Sequence, residues 1–333
     1  MASRTTARGL FLWVLLLLGP AVWLALFAFR PLDLPAEQVE FAVQPGSSTR
    51  AVARQLEAAA ILPRQLEFVV LTILLNKTGR IKAGQYSLES PLTPLALLDM
   101  LTRGDTVMRK LTVVEGWSFR QMRAEVGKNP DLRHETANMS DTELLAAIGA
   151  PERHPEGLFF PDTYYFDIGS SDLVLYRRAY HALREQLSAR WAERAEGLPY
   201  QSPYEALIMA SIVEKETGAS EERPRIAAVF INRLKLGMRL QTDPTVIYGL
   251  GERFDGNLRK VDLTTDTPYN TYTRAGLPPT PIALPGEAAI RAALNPEPSR
   301  ALYFVAMGEG RHYFSSGLDE HNRAVNRYQK GGR

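Results

Sequence analysis

Apolar residues follow three different rhythms along the chain. The first is an unbroken run without a charge, "LFLWVLLLLGPAVWLALFAF", over residues 10–29. About 20 such residues in a helix match a hydrocarbon core of ~30 Å. The Gly19-Pro20 pair is tolerated by a bilayer helix, and Arg4 and Arg8 ahead of the run place the N-terminus in the cytoplasm. A signal peptide has a shorter apolar stretch, about 7–15 residues, and a small-x-small cleavage site, which "FAFRPLDLP" does not offer. The pattern predicts an uncleaved single-pass anchor over 10–29, a cytoplasmic tail over 1–9, and the rest of the chain outside the membrane.

The second rhythm is alternation. "VEFAV" reads as a strand, "PGSS" as a turn, and "IKAGQYSL" as a closing strand. Between them Thr49 can cap a helix carrying Val52, Ala53 and Leu56, and a second helix runs from about Arg64 to Asn76. This β-α-α-β order over 39–88, opening on "V-x-P-G-S-S" and closing on "AGQYSL", resembles a LysM domain, a peptidoglycan-binding module. A small α+β spacer next to the anchor is the alternative.

The third rhythm has the helical period. It covers Pro94 to Thr102, a stretch after "EGWS", and a helix opened by the capping box Ser140 to Glu143. These belong to a connecting α/β region over 89–155, with "TVMRKLTVV" as its strand. "PERHPEGLFFPDTYYFD" breaks the pattern with three prolines and suggests the main boundary, so that 156–333 forms the last domain. That domain opens with a long amphipathic helix, about Asp172 to Ala195. Ser202 and Pro203 then cap a helix over 203–217 that Gly218 ends. Ser220, with Glu221 and Glu222, starts the next, which carries Ile226, Val229, Phe230 and Leu234 and stops at Gly237.

Composition narrows the chemistry. A net charge of +2 over 333 residues gives no nucleic-acid footprint. With no cysteine there is no disulfide, thiolate metal site or thiol nucleophile. The five histidines (His134, His154, His181, His312, His321) lack metal-ligand spacing, so no metal or cofactor is expected. "GxSxG" and "SxxK" do not occur, and Lys77-Thr78-Gly79 has no serine partner. Carboxylate chemistry remains.

The sharpest candidate lies in "MASIVEKETGAS", where Glu214 and Glu216 stand two apart. Residues so spaced in a helix point roughly 200° apart, so one cleft can use only one of them. Glu216 falls amid the apolar face of Ile208, Met209, Ile212 and Val213, whereas Glu214 falls on the polar face and is expected to be solvated or salt-bridged. An inward carboxyl is either a buried ion pair, with Arg233 or Arg239 as partner, or a general acid whose pKa is raised by desolvation. Downstream, "TPYNTY" offers Tyr269, Asn270, Thr271 and Tyr272, the mixture of rings, amide and hydroxyls that binds sugars, or else a loop plugging its own core.

"EGLFFPDTYYF", "ASIVEKET", "VFINRLKLGMRLQTDPTVIYGLG" and "TPYNTYTRAGLPPTPIALPG", in that order, resemble the YceG-like family of endolytic murein transglycosylases. The resemblance implies an α+β protein with a single transmembrane helix, a LysM-like unit and a lysozyme-like domain with a small sheet. It implies Glu216 as the one catalytic residue, the second glutamate of "EKE". Tyr269, Asn270, Thr271, Tyr272, Gln241 and Asp243 become substrate-binding candidates, with Asn270 and Tyr272 orienting the substrate's acetamido group. The implied reaction cuts the MurNAc-β-1,4-GlcNAc bond inside peptidoglycan strands, leaves 1,6-anhydro ends, and terminates glycan elongation at the bacterial cytoplasmic membrane, with cell-wall synthases as possible partners. Two alternatives stay open: a muramidase using Asp243 or Asp266 as second carboxylate, and a non-catalytic peptidoglycan-binding scaffold.

Overall fold

In the computed structural model, residues 18–308 and 310–331 are described. Residues 10–17 of the expected anchor lie outside them. The rest of that run, 18–29, is helical (α1). Among the described residues no helix is long and apolar enough to cross a membrane.

The chain divides into two units, residues 1–109 with 165–170, and residues 110–164 with 171–333. In the first, β1 (Gln38–Val43), α2 (Thr49–Ala58), α3 (Gln65–Leu74) and β2 (Gly84–Glu89) keep the expected β-α-α-β order. β1 and β2 pair antiparallel, with Gln38 opposite Glu89 and Val43 opposite Gly84. Ser48, one residue before the expected cap, accepts from Ala51 N at 3.3 Å. The unit does not stop at residue 88. α4 (Pro94–Arg103) inserts Leu97, Leu98 and Leu101 into the same core as Val52, Leu56, Phe68 and Tyr86. Thr93 caps α4, and Gly104, at φ 80°, ends it in the left-handed region.

The strands β3 (Met108–Thr112) and, later, β5 (Thr163–Asp167) carry the chain across the boundaries. The second unit begins well before the proline-rich stretch. α5 (Phe119–Lys128) and α6 (Asp141–Ile148) both open with capping boxes, at Ser118 and Ser140, and β4 (Leu132–Arg133) lies between them. Phe119 stacks on Phe159 at 5.2 Å, and Phe159 meets Tyr176 edge-on at 5.6 Å. The segment 110–155 therefore shares a core with Phe159 and Tyr176, and a boundary at 155/156 would cut it. Pro155 and Pro161 are buried in an irregular crossing of that core, which Pro151 enters from the surface.

After β6 (Ser170–Ser171) comes α7 (Asp172–Ala192), then α8 (Pro203–Glu216), whose residues Ala206 to Val213 are all buried. A short 3-10 turn at Ser220–Glu222 replaces the expected helix start, and α9 begins at Arg223 and runs to Lys235. α10 (Asp243–Leu250), α11 (Lys260–Thr264) and α12 (Glu287–Leu294) come next. The antiparallel pair β7 (Tyr303–Gly308) and β8 (Arg311–Ser315) and the terminal α13 (Leu318–Tyr328) complete the unit. The mixture of helices with two-stranded ladders is the expected α+β class.

Candidate active site

Glu216 is the last residue of α8. Ser202 caps the other end, accepting from Glu205 N, and Pro203 sits in the first turn. The helix stops because Thr217 turns extended, at φ −141° and ψ 138°, and its hydroxyl accepts from Ala219 N at 2.9 Å. Gly218, the expected stop signal, does not adopt a left-handed conformation.

This ending aims Glu216 into a cleft of about 630 Å³ that also takes in Phe230, Arg233, Gln241, Asp243 and Tyr272. The β7–β8 hairpin and α13 supply its other wall, through Tyr303, His312, His321 and Asn322. Burial pushes the Glu216 carboxyl above the ordinary carboxylate range. Oε2 accepts from the Thr242 hydroxyl at 2.7 Å, which pulls back toward the ionised form. The nearby Asp243 charge pushes further up, and His312 and Arg233 pull down. No ion pair to Glu216 exists among the described residues. Arg233 directs its guanidinium to the carbonyls of Leu302 and Leu240, at 2.7 Å each. Arg239 donates to Tyr272 O at 3.0 Å. The buried-ion-pair reading of Glu216 has lost both its partners.

Thr242 is itself held. Its N–H donates to Thr271 Oγ1 at 3.1 Å and its carbonyl accepts from Thr245 Oγ1 at 2.8 Å, while the Thr245 and Thr271 hydroxyls meet at 2.9 Å. The preceding Gln241 has φ 52°, in the left-handed region that a non-glycine residue seldom occupies. Its N–H bonds Thr271 O at 3.2 Å, so the strained turn is fixed from the same loop.

The structure sorts the sequence candidates. Glu216, Gln241, Asp243 and Tyr272 come together in the cleft. Asp243 Oδ1 accepts from Tyr272 OH at 2.6 Å, and burial together with this bond holds the phenol above its usual pKa. Asn270 and Thr271 are buried behind the wall. Asn270 donates to the carbonyls of Asp262, Leu263 and Thr265 and accepts from Tyr272 N at 2.9 Å, so its amide shapes the loop and presents Tyr272. No amide proton is left to orient an acetamido group. Tyr269 faces away, bonded to Thr280 at 2.8 Å and edge-on to Tyr248 at 4.9 Å. Asp266 is an exposed group outside the cleft, bound by Arg274 and Thr273.

Glu214 corrects the helix-face argument in one respect. It is salt-bridged, to Arg223 at 2.9 Å, but it is not on a solvated face: its side chain is only 5% exposed. Its other oxygen accepts from Gly286 N at 2.9 Å. The loop before α12 covers that side of α8, and a Cβ on Gly286 would collide with Glu115. α8 is buried all round from Ala206 to Val213, and only Lys215 in its last turn is exposed, so the position of Glu214 is not a solvated one.

Cleft residues that escaped the sequence reading as site members include Arg233, His312, His321 and Asn322. Arg233 is buried by its carbonyl bonds and lies 5.2 Å over the Tyr303 ring. His312 bonds Glu222 at 2.7 Å. His321 stacks on Tyr303 at 5.1 Å; burial lowers its pKa, and its Nδ1 has no hydrogen-bond partner among the described residues. Asn322 is its neighbour on α13. Polar residues on a short C-terminal helix carry no local signal for a site 100 residues upstream. Glu156 also went unread: it is buried, accepts from Phe119 N at 2.9 Å, and burial raises its pKa to about 7, but it does not line the cleft. No group of three metal-ligating side chains occurs among the described residues.

Comparison with known proteins gives a consistent result. The sequence profile of the YceG-like family matches residues 41–327. A Bacillus subtilis (strain 168) protein named endolytic murein transglycosylase is 32% identical over 308 residues, which cover 87% of this chain and 84% of that one. A protein of the same name from Streptococcus pneumoniae serotype 2 (strain D39 / NCTC 7466) is 29% identical, and the match covers 89% of this chain and 59% of that longer one. A crystal structure of a yceG-like protein from Listeria monocytogenes is similar at TM-score 0.53 and 33% identity, over 86% of this chain and 99% of that chain.

Proposed function

The chain belongs to the YceG-like family, and from that premise we propose that it is a membrane-anchored endolytic transglycosylase of peptidoglycan with Glu216 as its acid and base. The observation that carries this reading is the Glu216 carboxyl itself: buried in an open cleft, without an ion pair among the described residues, held by one hydroxyl, and raised in pKa. A carboxyl raised in this way keeps its proton to higher pH than an exposed one, which is what a general acid needs.

The protonated Glu216 gives its proton to the glycosidic oxygen, and the C1–O bond of the MurNAc residue breaks. The resulting carboxylate takes the proton of that sugar's C6 hydroxyl, whose oxygen closes on C1 as a 1,6-anhydro ring. Glu216 ends protonated again, and no water is consumed. Thr242 donates to the carboxylate in the second half of the cycle, when the charge needs support. Tyr272 and Gln241 contact the glycan, and Asn270 acts from behind by presenting Tyr272. Residues 10–29 serve as the single-pass anchor, and the β-α-α-β unit serves as a LysM-like element that places or holds glycan.

A muramidase is the second reading, because Asp243 is a carboxylate that also lines the cleft. Digestion of purified peptidoglycan, with mass spectrometry of the products, separates the two. Anhydro ends support the proposal. Reducing ends, heavier by one water, would make the enzyme a hydrolase, and intact glycan would leave only a binding role.

A further inference from the structure

The first unit has a surface that glycan cleavage does not use. α3 buries Phe68 and Leu71, but its outer face consists of Leu66, Val70, Ile73 and Leu74, which are 73, 45, 56 and 67% exposed. Leu75 comes next at 43%. Their spacing of i, i+4, i+7 and i+8 makes them a single stripe. The only charged residue of α3, Glu67, is on the buried side. Contiguous apolar surface of this kind marks a partner or a membrane.

Position decides for the membrane. Ala28 and Leu32 belong to the same hydrophobic core as Phe68 and Leu71, with Leu24 and Phe27 packed against it. Leu32 N donates to Leu92 O at 2.7 Å. α1 therefore runs into the packed unit without a flexible linker. Its other side is exposed through Leu18, Val22, Trp23, Leu26 and Phe29. Between this helix and the first turn of α3 lies a cleft of about 690 Å³, with Trp23, Leu26 and Phe27 on one side and Pro63 and Arg64 on the other. α1 and α3 thus flank one cleft, whose lining also includes Asp33, Glu57 and Glu67, and each helix leaves an apolar face exposed.

We propose that α3 is an interfacial helix, whose stripe lies about 5–10 Å deep at the headgroup–acyl boundary of the outer leaflet, beside the end of the anchor. This rests on the reading of residues 10–29 as a membrane span. Arg30, which follows the anchor and lines the cleft, meets lipid phosphates there. The unit is then fixed on the bilayer at two places, which sets its orientation as well as its distance from the membrane.

The chain contains no cysteine, so single-cysteine variants of the full-length protein can carry spin labels. Labels at Leu66→Cys, Val70→Cys and Ile73→Cys are compared with one at the exposed Arg54→Cys of the same unit, in vesicles of phosphatidylethanolamine and phosphatidylglycerol. Melts confirm that each variant is folded. In vesicles that float with the protein, the α3 labels should relax several-fold more with oxygen, relative to a water-soluble nickel complex, than the Arg54→Cys label does. Nickel access at the α3 positions equal to that at Arg54→Cys, in protein that floats, overturns the interfacial helix while leaving the anchor intact. It would assign the stripe to a protein partner absent from the vesicles. Protein that does not float at all overturns the anchor and this proposal together.

Discussion

The two sides of the C-terminal turn of α8 present the same side chain in two environments. Both Glu214 and Glu216 are buried, and burial raises both pKa values. On the Glu214 side the carboxylate meets a guanidinium and a backbone N–H, and protein fills the space beyond it. On the Glu216 side it meets a single hydroxyl, and beyond it lies an open cleft. Depth alone therefore does not distinguish a structural carboxylate from a reactive one. What distinguishes them is whether the charge is compensated and whether a substrate could reach it.

The largest effect should come from Glu216→Gln. The amide keeps the shape and can still bond Thr242, but it has no proton to give. General acid catalysis contributes about 10²–10⁴-fold, and the same group also serves as base, so release of anhydro-ended fragments should fall by the upper figure or more. Stability should move the other way. A carboxyl with a raised folded-state pKa favours the fold while protonated and loses that advantage as pH rises through the folded pKa. The glutamine variant should thus melt at or above the parent at neutral pH, with the gain disappearing in acid. A variant that cuts normally but melts low would make Glu216 the structural member of the pair.

Glu214→Gln should produce the opposite profile. The amide can still accept from Gly286 N, but Arg223 loses its close counter-charge. Breaking a buried pair costs about 3–5 kcal/mol when nothing replaces the partner. Here Glu115 at 3.9 Å from Arg223 retains part of the compensation, so about 2 kcal/mol is expected by the same reasoning. Thermal melts should drop by several degrees, while the folded fraction keeps its cutting rate. If folded Glu214→Gln is inactive, the contrast drawn between the two sides fails.

Much of this contrast was legible in the sequence, but for a reason that the structure modifies. The helix wheel chose Glu216 because apolar residues surround it, and Glu216 does point into the cleft. The same wheel placed Glu214 on a polar face, yet protein covers that side of α8 and leaves its side chain 5% exposed. The covering loop comes from about 70 residues downstream, and no local period reports it. The "TPYNTY" stretch shows the same limit. Its composition suggested a sugar platform, but three of the four candidates it offered satisfy the loop's own backbone and neighbours, and only Tyr272 reaches the cleft. The capping box at Ser140 was readable because it acts within one turn. The boundary between units was not, because the stacking of Phe119 on Phe159 joins segments on either side of the prolines.

Thr242→Val tests the single hydroxyl on the reactive side. Valine keeps the backbone bonds to Thr271 and Thr245 and removes only the donor to Glu216. A hydrogen bond to a charged group contributes about 1.5–3 kcal/mol, which corresponds to roughly ten- to a hundredfold if the charged form matters to the rate. The pH profile carries the sharper signal. Thr242 favours the carboxylate, so its removal should raise the Glu216 pKa further. The free enzyme must be protonated to start the reaction, and the alkaline limb of kcat/KM should therefore move to higher pH. A lower rate with an unmoved limb would mean that Thr242 serves only to pack the loop.

The smallest effect is expected at Asp266→Asn. Its carboxylate is exposed and held by Arg274 at 2.9 Å and by Thr273 at 2.8 Å, and these bonds lower its pKa to about 2. Exposed pairs of this kind contribute little to stability, because water screens the charges and two side chains must be ordered. Asp266 lines no part of the cleft, so neither melting nor product release should change appreciably. The result matters because an inverting or retaining hydrolase needs a second carboxylate near its acid, and Asp266 is one of the two that the sequence offered. A near-silent Asp266→Asn leaves Asp243 as the only remaining candidate for that role. A dead Asp266→Asn would mean that the loop around Asn270 swings its carboxylate into the site when glycan binds, and it would favour hydrolysis over anhydro-ring closure.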